Sequence, residues 1–366
     1  MSNTSNNGPY PEIGENDPFY TKELLQYYEA EAAKDSDVIK LRTIQGHEYS
    51  QQNPRHGAKP WDLAQDQAAE RDLIMFADER SYNDWAAEPR GYAWISVQIE
   101  TYLAHGPWKT EQQARESFNT TFAEFAGTSE ASNIELLVKQ NLAGCHIDKV
   151  FGFGLGSVSW ALAGLSNGRN WSIQSHEREH AALIVVARAI QQVSSADKVQ
   201  IFTQDPGYQS VDKQILGEHG IEVIESRGAL GFTMVDDNSA VFAHHPNFCF
   251  REIIADLARP KLICMESQEK LDSQRGDPYF DFKADIGSKR SRKMLQQYRM
   301  EKLGGVVRGF FDNVWYIREE MREVETETPQ GGDTQPSKDS VSPELDDKKK
   351  KKKKTGKGKG KGKGRK

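Results

Sequence analysis

His176-Glu177-Arg178-Glu179-His180 satisfies H-E-x-x-H, a pattern in which two histidines one helical turn apart share a zinc ion and the glutamate acts as general base. Such a centre needs a third ligand. The residues that follow, AALIVVARAI from Ala181, lack the G-x-x-H continuation of one protease class. The glutamates nearest for another class, Glu218 and Glu222, fall at a helix-to-strand junction. Leu183, Ile184, Ala187 and Ile190 recur at helical spacing and suit packing on a sheet. The motif therefore reads as the polar first turn of a crossover helix whose N-terminus would favour an anion. No metal is assigned, and zinc hydrolysis is the weakest of three functional readings.

Four turns carry the other candidates. Phe151-Gly152-Phe153-Gly154-Leu155-Gly156-Ser157 puts glycines where a chain can turn sharply and bring backbone N–H groups to a phosphate or nucleoside. Its spacing is G-x-G-x-G, which differs from the dinucleotide fingerprint G-x-G-x-x-G. Asp205-Pro206-Gly207-Tyr208 closes a second apolar run, where a carboxylate commonly accepts hydrogen bonds from ribose hydroxyls. It follows Gly152 by 53 residues, against about 20 in a dinucleotide fold. His244-His245-Pro246 and Glu266-Ser267 end two later runs, and His244 and His245 alternate faces, so one can touch a ligand while the other packs. The candidate cofactor- or ligand-binding set is thus Gly152, Gly154, Gly156, Ser157, Asp205, Tyr208, His244 and Ser267. A strand-ending turn with no ligand is the competing reading for each. The sequence assigns no catalytic residue and no cofactor.

These turns must be positioned by strands. Val150–Phe153, Val199–Phe202, Ile221–Ile224, Ala240–Ala243 and Leu262–Met265 are short apolar runs that alternate with helical patterns at His176–Val193, Val211–His219 and Phe250–Ala258. That alternation predicts an α/β fold, a Rossmann-like doubly wound and mostly parallel sheet of about five strands with helices on both faces. Asn313–Ile317 predicts a further strand at the sheet edge. Ahead of the sheet, Thr110-x-x-Gln113 is a capping box for a helix to Ala126 that Gly127 stops, and Ser132-x-x-Glu135 opens another that ends near Gly144. Leu24, Leu25, Tyr28 and Ala32 predict a short earlier helix, and the pattern from Asp35 to Glu79 is polar and irregular.

The expected organisation is a disordered segment 1–20, an N-terminal extension 21–105, an α/β domain 106–320 with its core at 149–271, an acidic linker 321–347 and a basic tail 348–366. The net charge of −6 hides an asymmetry. Lys348–Lys366 holds 13 basic residues and no acid, which leaves 35 basic against 54 acidic residues elsewhere, or −19. The acidic body suits nucleic acid poorly, while the tail suits non-specific contact with polyanions or nuclear targeting. Cys145, Cys249 and Cys264 are far apart in apolar settings, as in a reducing compartment. No apolar run is long enough for a membrane span and the first residues form no secretory signal, so a cytoplasmic or nuclear location is expected, with no membrane partner.

With these residues in hand, the region from about Lys149 to Leu271 resembles the SRR-like family, named for sensitivity to red light reduced. The resemblance rests on Gly154-Leu155-Gly156-Ser157, Arg178 leading an apolar helix, Asp205-Pro206 with Tyr208, Leu216 and Gly220, and His244-x-Pro246. It is nearer the fungal branch than the plant one. The chain has His-His-Pro where the family usually has His-Cys-Pro, and Met265-Glu266-Ser267 where the family tends to Gly-Asn-Ser. The resemblance implies an intracellular α/β regulatory domain, with circadian and light-signalling roles in plants, and brings no agreed reaction. The leading expectation is a regulatory protein with a small-molecule or partner pocket at the strand ends. The alternative is a nucleotide- or S-adenosylmethionine-dependent enzyme.

Overall fold

The computed structural model describes residues 18–34, 36–42, 48–52, 68–76, 97–105, 108–160, 174–226, 228–243, 246, 248–273, 285–303 and 313–319, with backbone alone at 68–76, 97–105 and 174–175. Five strands run parallel side by side: β5 (Lys149–Phe153), β6 (Gln200–Gln204), β7 (Ile221–Val223), β8 (Ser239–Ala243) and β9 (Leu262–Glu266). Two further strands, β10 (Tyr298–Lys302) and β11 (Asn313–Arg318), complete a seven-stranded sheet in the order β7-β6-β5-β8-β9-β11-β10. β11 runs antiparallel to both neighbours, with Val314 opposite Met265 and Lys302. The expected fold class holds. The run at Asn313 is a strand as expected, but it lies inside the sheet, and the edge belongs to β10.

Period-two alternation sends successive side chains of β5 to opposite faces. Phe151 and Phe153 pack on one side with Phe202, Val241, Ile263 and Tyr316, beneath α1 (Lys22–Ala32), α6 (Leu230–Met234), α7 (Phe250–Leu257) and α9 (Lys289–Leu295). Val150 packs on the other side with Ala240, Phe242, Leu262 and Trp315, beneath α3 (Ser129–Asn141) and α4 (Gln174–Val193). On this second side, α2 (Glu111–Ala126) and α5 (Ser210–Glu218) cover Ile221 and the flank of α4. A short helix, α8 (Gln268–Ser273), follows β9.

The cap at Thr110 forms as read, with Thr110 and Gln113 bonding each other's backbone N–H. The second helix begins four residues earlier than its sequence pattern suggests. Thr128 caps it, accepting from Ala131 N at 3.2 Å, so Ser132 lies inside the helix. Among its described residues, the stretch read as irregular contains three strands: β1 (Val38–Arg42) pairs antiparallel with β2 (Glu48–Gln52), and β3 (Ala68–Phe76) pairs with β4 (Val97–His105), which lies beyond that stretch. The segments 1–17 and 321–366, with the expected linker and tail, lie outside the described residues.

Candidate functional site

The chain reverses direction across the sheet between β5 and β8, because β6 and β7 extend one way from β5 and β8 and β9 the other. In doubly wound sheets ligands gather at the carboxyl ends beside such a reversal. The glycine turn leaves β5 at that place. Gly154 and Gly156 have φ of +69° and +75°, a left-handed backbone that glycine alone adopts without strain. A side chain at Gly156 would also collide with His176, whose ring atoms lie 2.6–2.8 Å from where a Cβ would stand. Gly152 has another task. A Cβ there would meet Leu155 at 2.6 Å and Leu183 at 3.0 Å, so its absence lets α4 close on the sheet.

The turn is bonded to its neighbour across the sheet. Gly154 N–H donates to the Gln204 carbonyl at 3.0 Å, and Gly156 N–H donates to Asp205 Oδ2 at 2.9 Å. Asp205 Oδ1 accepts from Gly207 N at 2.7 Å. Burial pushes the Asp205 carboxyl up despite these two amides and the nearby His176. A second carboxylate, Asp212, is fully buried and accepts from Ser157 Oγ at 2.9 Å, Ser159 N at 2.8 Å and Gln209 N at 2.6 Å. Asp205, Gly156, Ser157 and Asp212 thus fuse the turns after β5 and β6 into one ledge.

The H-E-x-x-H pair stands in the first two turns of α4, as the crossover-helix reading requires. His180 is fully buried. Its Nδ1 donates to the His176 carbonyl at 2.6 Å, which leaves Nε2 as an acceptor for Tyr208 OH at 2.7 Å. Thr203 Oγ1 is 2.7 Å from the same Tyr208 oxygen and donates to Gly152 O at 3.0 Å. Burial pushes the His180 imidazole down to about 4, so it is neutral. Glu177 is equally committed: it accepts from Lys109 Nζ at 2.5 Å, Ser117 Oγ at 2.7 Å and Thr121 Oγ1 at 2.6 Å, which pins α2 to α4. Both ring nitrogens of His180 and the carboxylate of Glu177 are therefore bound to protein groups. Among the described residues, no three His, Cys, Asp or Glu side chains are grouped to hold a metal ion. A polar groove of about 540 Å³ opens above this pin, lined by Gln113, Glu116, Ser117, Thr120, Thr121 and Glu124 of α2 with Lys109 and Glu177.

The remaining glutamate of the motif faces the ledge. Glu179 is buried, and its carboxyl is pushed well up by burial and then by the charge of Asp205. His176, half-buried, stacks on Trp160 with ring centres 6.0 Å apart and planes at 24°, and its Nδ1 is 3.3 Å from Ser157 O. Glu179, Asp212 and Thr203 were not among the residues singled out from sequence. Only Glu179 carried a local signal, and its motif pointed to metal chemistry.

The other half of the rim follows β8 and β9. Ala243, the last residue of β8, pairs with Phe153, next to the glycine turn. His244 and His245 lie outside the described residues. Phe248 is within reach of the turn, 3.7 Å from where a Gly154 Cβ would stand. Ser267 follows β9, two strands away or roughly 10 Å by strand spacing. Its hydroxyl accepts from Lys270 N at 3.0 Å. Arg251 lies buried beside this end, bonded to Asp285 and to the Glu266 carbonyl. Of the sequence candidates, the structure gathers Gly152, Gly154, Gly156, Ser157, Asp205 and Tyr208 around β5 and β6, with Ser267 farther along the same edge.

The sheet order and the clustered strand-end turns define a doubly wound α/β domain with its candidate site at the carboxyl edge. The family model for the SRR1 domain matches residues 127–339, more than half of the chain, and the protein belongs to that family. Comparison with the curated proteins returns no match. Among the described residues no helix is long and apolar enough to cross a membrane.

Proposed function

We propose that this SRR1-domain chain is a regulatory protein that takes a small molecule or partner at the carboxyl edge of its sheet, with Gly154, Gly156, Asp205 and Ser267 on the rim. The observation that carries this reading is the Gly156–Asp205 bond at the point where the sheet reverses. It supports a preformed ledge, which loses little entropy when a ligand docks. Mass spectrometry of small molecules released from the purified full chain tests the reading. A ligand retained by the wild type and lost from Asp205→Asn supports it, whereas equal retention by both would move the site elsewhere.

The second reading, an S-adenosylmethionine- or nucleotide-dependent enzyme, draws on one specific feature. Asp205 ends the strand next to the glycine turn, where such sheets meet ribose hydroxyls, and each of its oxygens keeps a lone pair beyond its amide bond. The amides of Gly154 and Gly156 are engaged, and Glu179 lies close by. A phosphate would find little to grip there. That favours the phosphate-free S-adenosylmethionine over a dinucleotide.

A further inference from the structure

Helix α6 begins without a capping side chain of its own. Ala229 occupies the cap position and offers no acceptor, although a helix start leaves its first amides unpaired. Two distant residues supply what is missing. Glu29 Oε1 accepts from Ala229 N at 2.6 Å and Leu230 N at 2.8 Å, and Gln204 Oε1 accepts from Gly231 N at 2.7 Å. Gln204 also donates from Nε2 to Gly228 O at 2.7 Å. The backbone carbonyl of this same residue receives Gly154 N–H. One residue of β6 therefore touches both the first turn of α6 and the glycine turn of the rim.

Ring packing follows the same route. Phe153 stacks on Phe232 of α6 with centres 4.4 Å apart and planes at 8°, and Phe232 meets Phe248 edge-on at 5.6 Å. Gly231 leaves no slack, since a Cβ there would be 2.7 Å from Gln204 Oε1 and 3.0 Å from Phe153.

The segment that carries Glu29 is firmly seated. Phe19 and Tyr20 donate their backbone N–H groups to Asp256 Oδ2 at 2.8 and 3.1 Å. Arg290 lies over the Phe19 ring at 4.2 Å and pairs with Asp256 at 3.0 Å. Lys22 Nζ donates to Val235 O at 2.7 Å, and Phe19, Tyr20, Leu25 and Tyr28 are buried in the core. This segment lies outside residues 127–339, where the family model matches.

We propose that Glu29 is a positioning residue for the rim, and that residues 18–32 complete the site by holding α6, and through Gln204 the Gly154 turn, in place. Without the Glu29 carboxylate, the Ala229 and Leu230 amides lose their acceptor and the first turn of α6 loosens. Gln204 then loses a fixed neighbour. The order of the rim depends on this contact whichever ligand the rim takes.

Amide hydrogen exchange on the full chain, read by mass spectrometry, tests it. Peptides covering 228–232 and 154–157 are compared among wild type, Glu29→Gln, Glu29→Ala and the exposed control Glu23→Ala, with 129–141 as a distant reference. Glu29→Ala should speed exchange in both rim peptides by about tenfold, the effect of losing one hydrogen-bond acceptor, and leave the reference unchanged. Glu29→Gln keeps one acceptor oxygen, should show a smaller change in the same two peptides, and carries the comparison if Glu29→Ala does not fold. Faster exchange at 228–232 alone would overturn the proposal. So would equal acceleration in the reference peptide, which marks general destabilisation.

Discussion

Asp205 accepts the N–H of Gly156 across two adjacent strand ends at 2.9 Å, and this bond makes the two turns a single structure. A carboxylate is suited to the position because both of its oxygens accept, one from Gly156 and one from Gly207. Asparagine has one acceptor oxygen, and its NH₂ would face the other amide. Asp205→Asn should therefore destabilise the fold by about 1–3 kcal/mol, the cost of one buried unpaired donor, measured by urea denaturation. An unchanged midpoint would show that the bond contributes nothing to stability.

Two glycines with nearly the same backbone separate strain from contact. Gly144 has φ +78° with nothing within 4 Å of a Cβ, whereas Gly156 has φ +75° with the His176 ring in the way. Gly144→Ala should cost about 1–2 kcal/mol for the left-handed backbone alone. Gly156→Ala should cost more and displace His176 from Trp160, shifting the indole emission. Equal costs for the two would mean that His176 yields freely and is not held over the turn.

The buried neutral His180 sets a pH dependence. Burial lowers its folded-state value to about 4 from the ordinary 6.5. Between these values the unfolded chain binds a proton that the folded chain excludes, so stability falls as pH drops from about 6.5 to about 4 and levels off below. The full effect is about 3 kcal/mol. Asp285, pushed up to about 6 by burial with Arg251 beside it, acts in the opposite sense: it stabilises at low pH and loses that as pH rises from about 4 to about 6. Comparing wild type with His180→Gln cancels the Asp285 contribution. The stability difference should shift against the wild type as pH falls through that window, and a flat difference would show that His180 titrates normally.

Much of this fold could be read from residue order alone, for identifiable reasons. β5, β8 and β9 are buried along nearly their whole length, so each is a short apolar run between helical patterns. β2 is largely exposed along Glu48–Gln52, and β10 carries Arg299, Glu301 and Lys302 at the sheet edge, so neither has an apolar rhythm to find. Helix α6 has five residues and takes its caps from Glu29 and Gln204, far away in sequence. The site divides in the same way. Gly154, Gly156 and Asp205 were visible because turns demand those residue types. Asp212 and Thr203 act through partners about 50 residues distant, Ser157 and Gly152, which no local pattern reveals.

The measurement that bears most directly on the rim as a binding site is thermal unfolding of the full chain against S-adenosylmethionine, ATP and NAD in turn, repeated with Asp205→Asn. S-adenosylmethionine should raise the Tm progressively with concentration, approaching about 2.7 kcal/mol of stabilisation at a hundred times its Kd, and the variant should lose that response. No shift with any of the three at millimolar concentration, or the same shift in Asp205→Asn, would contradict a small-molecule site at these strand ends.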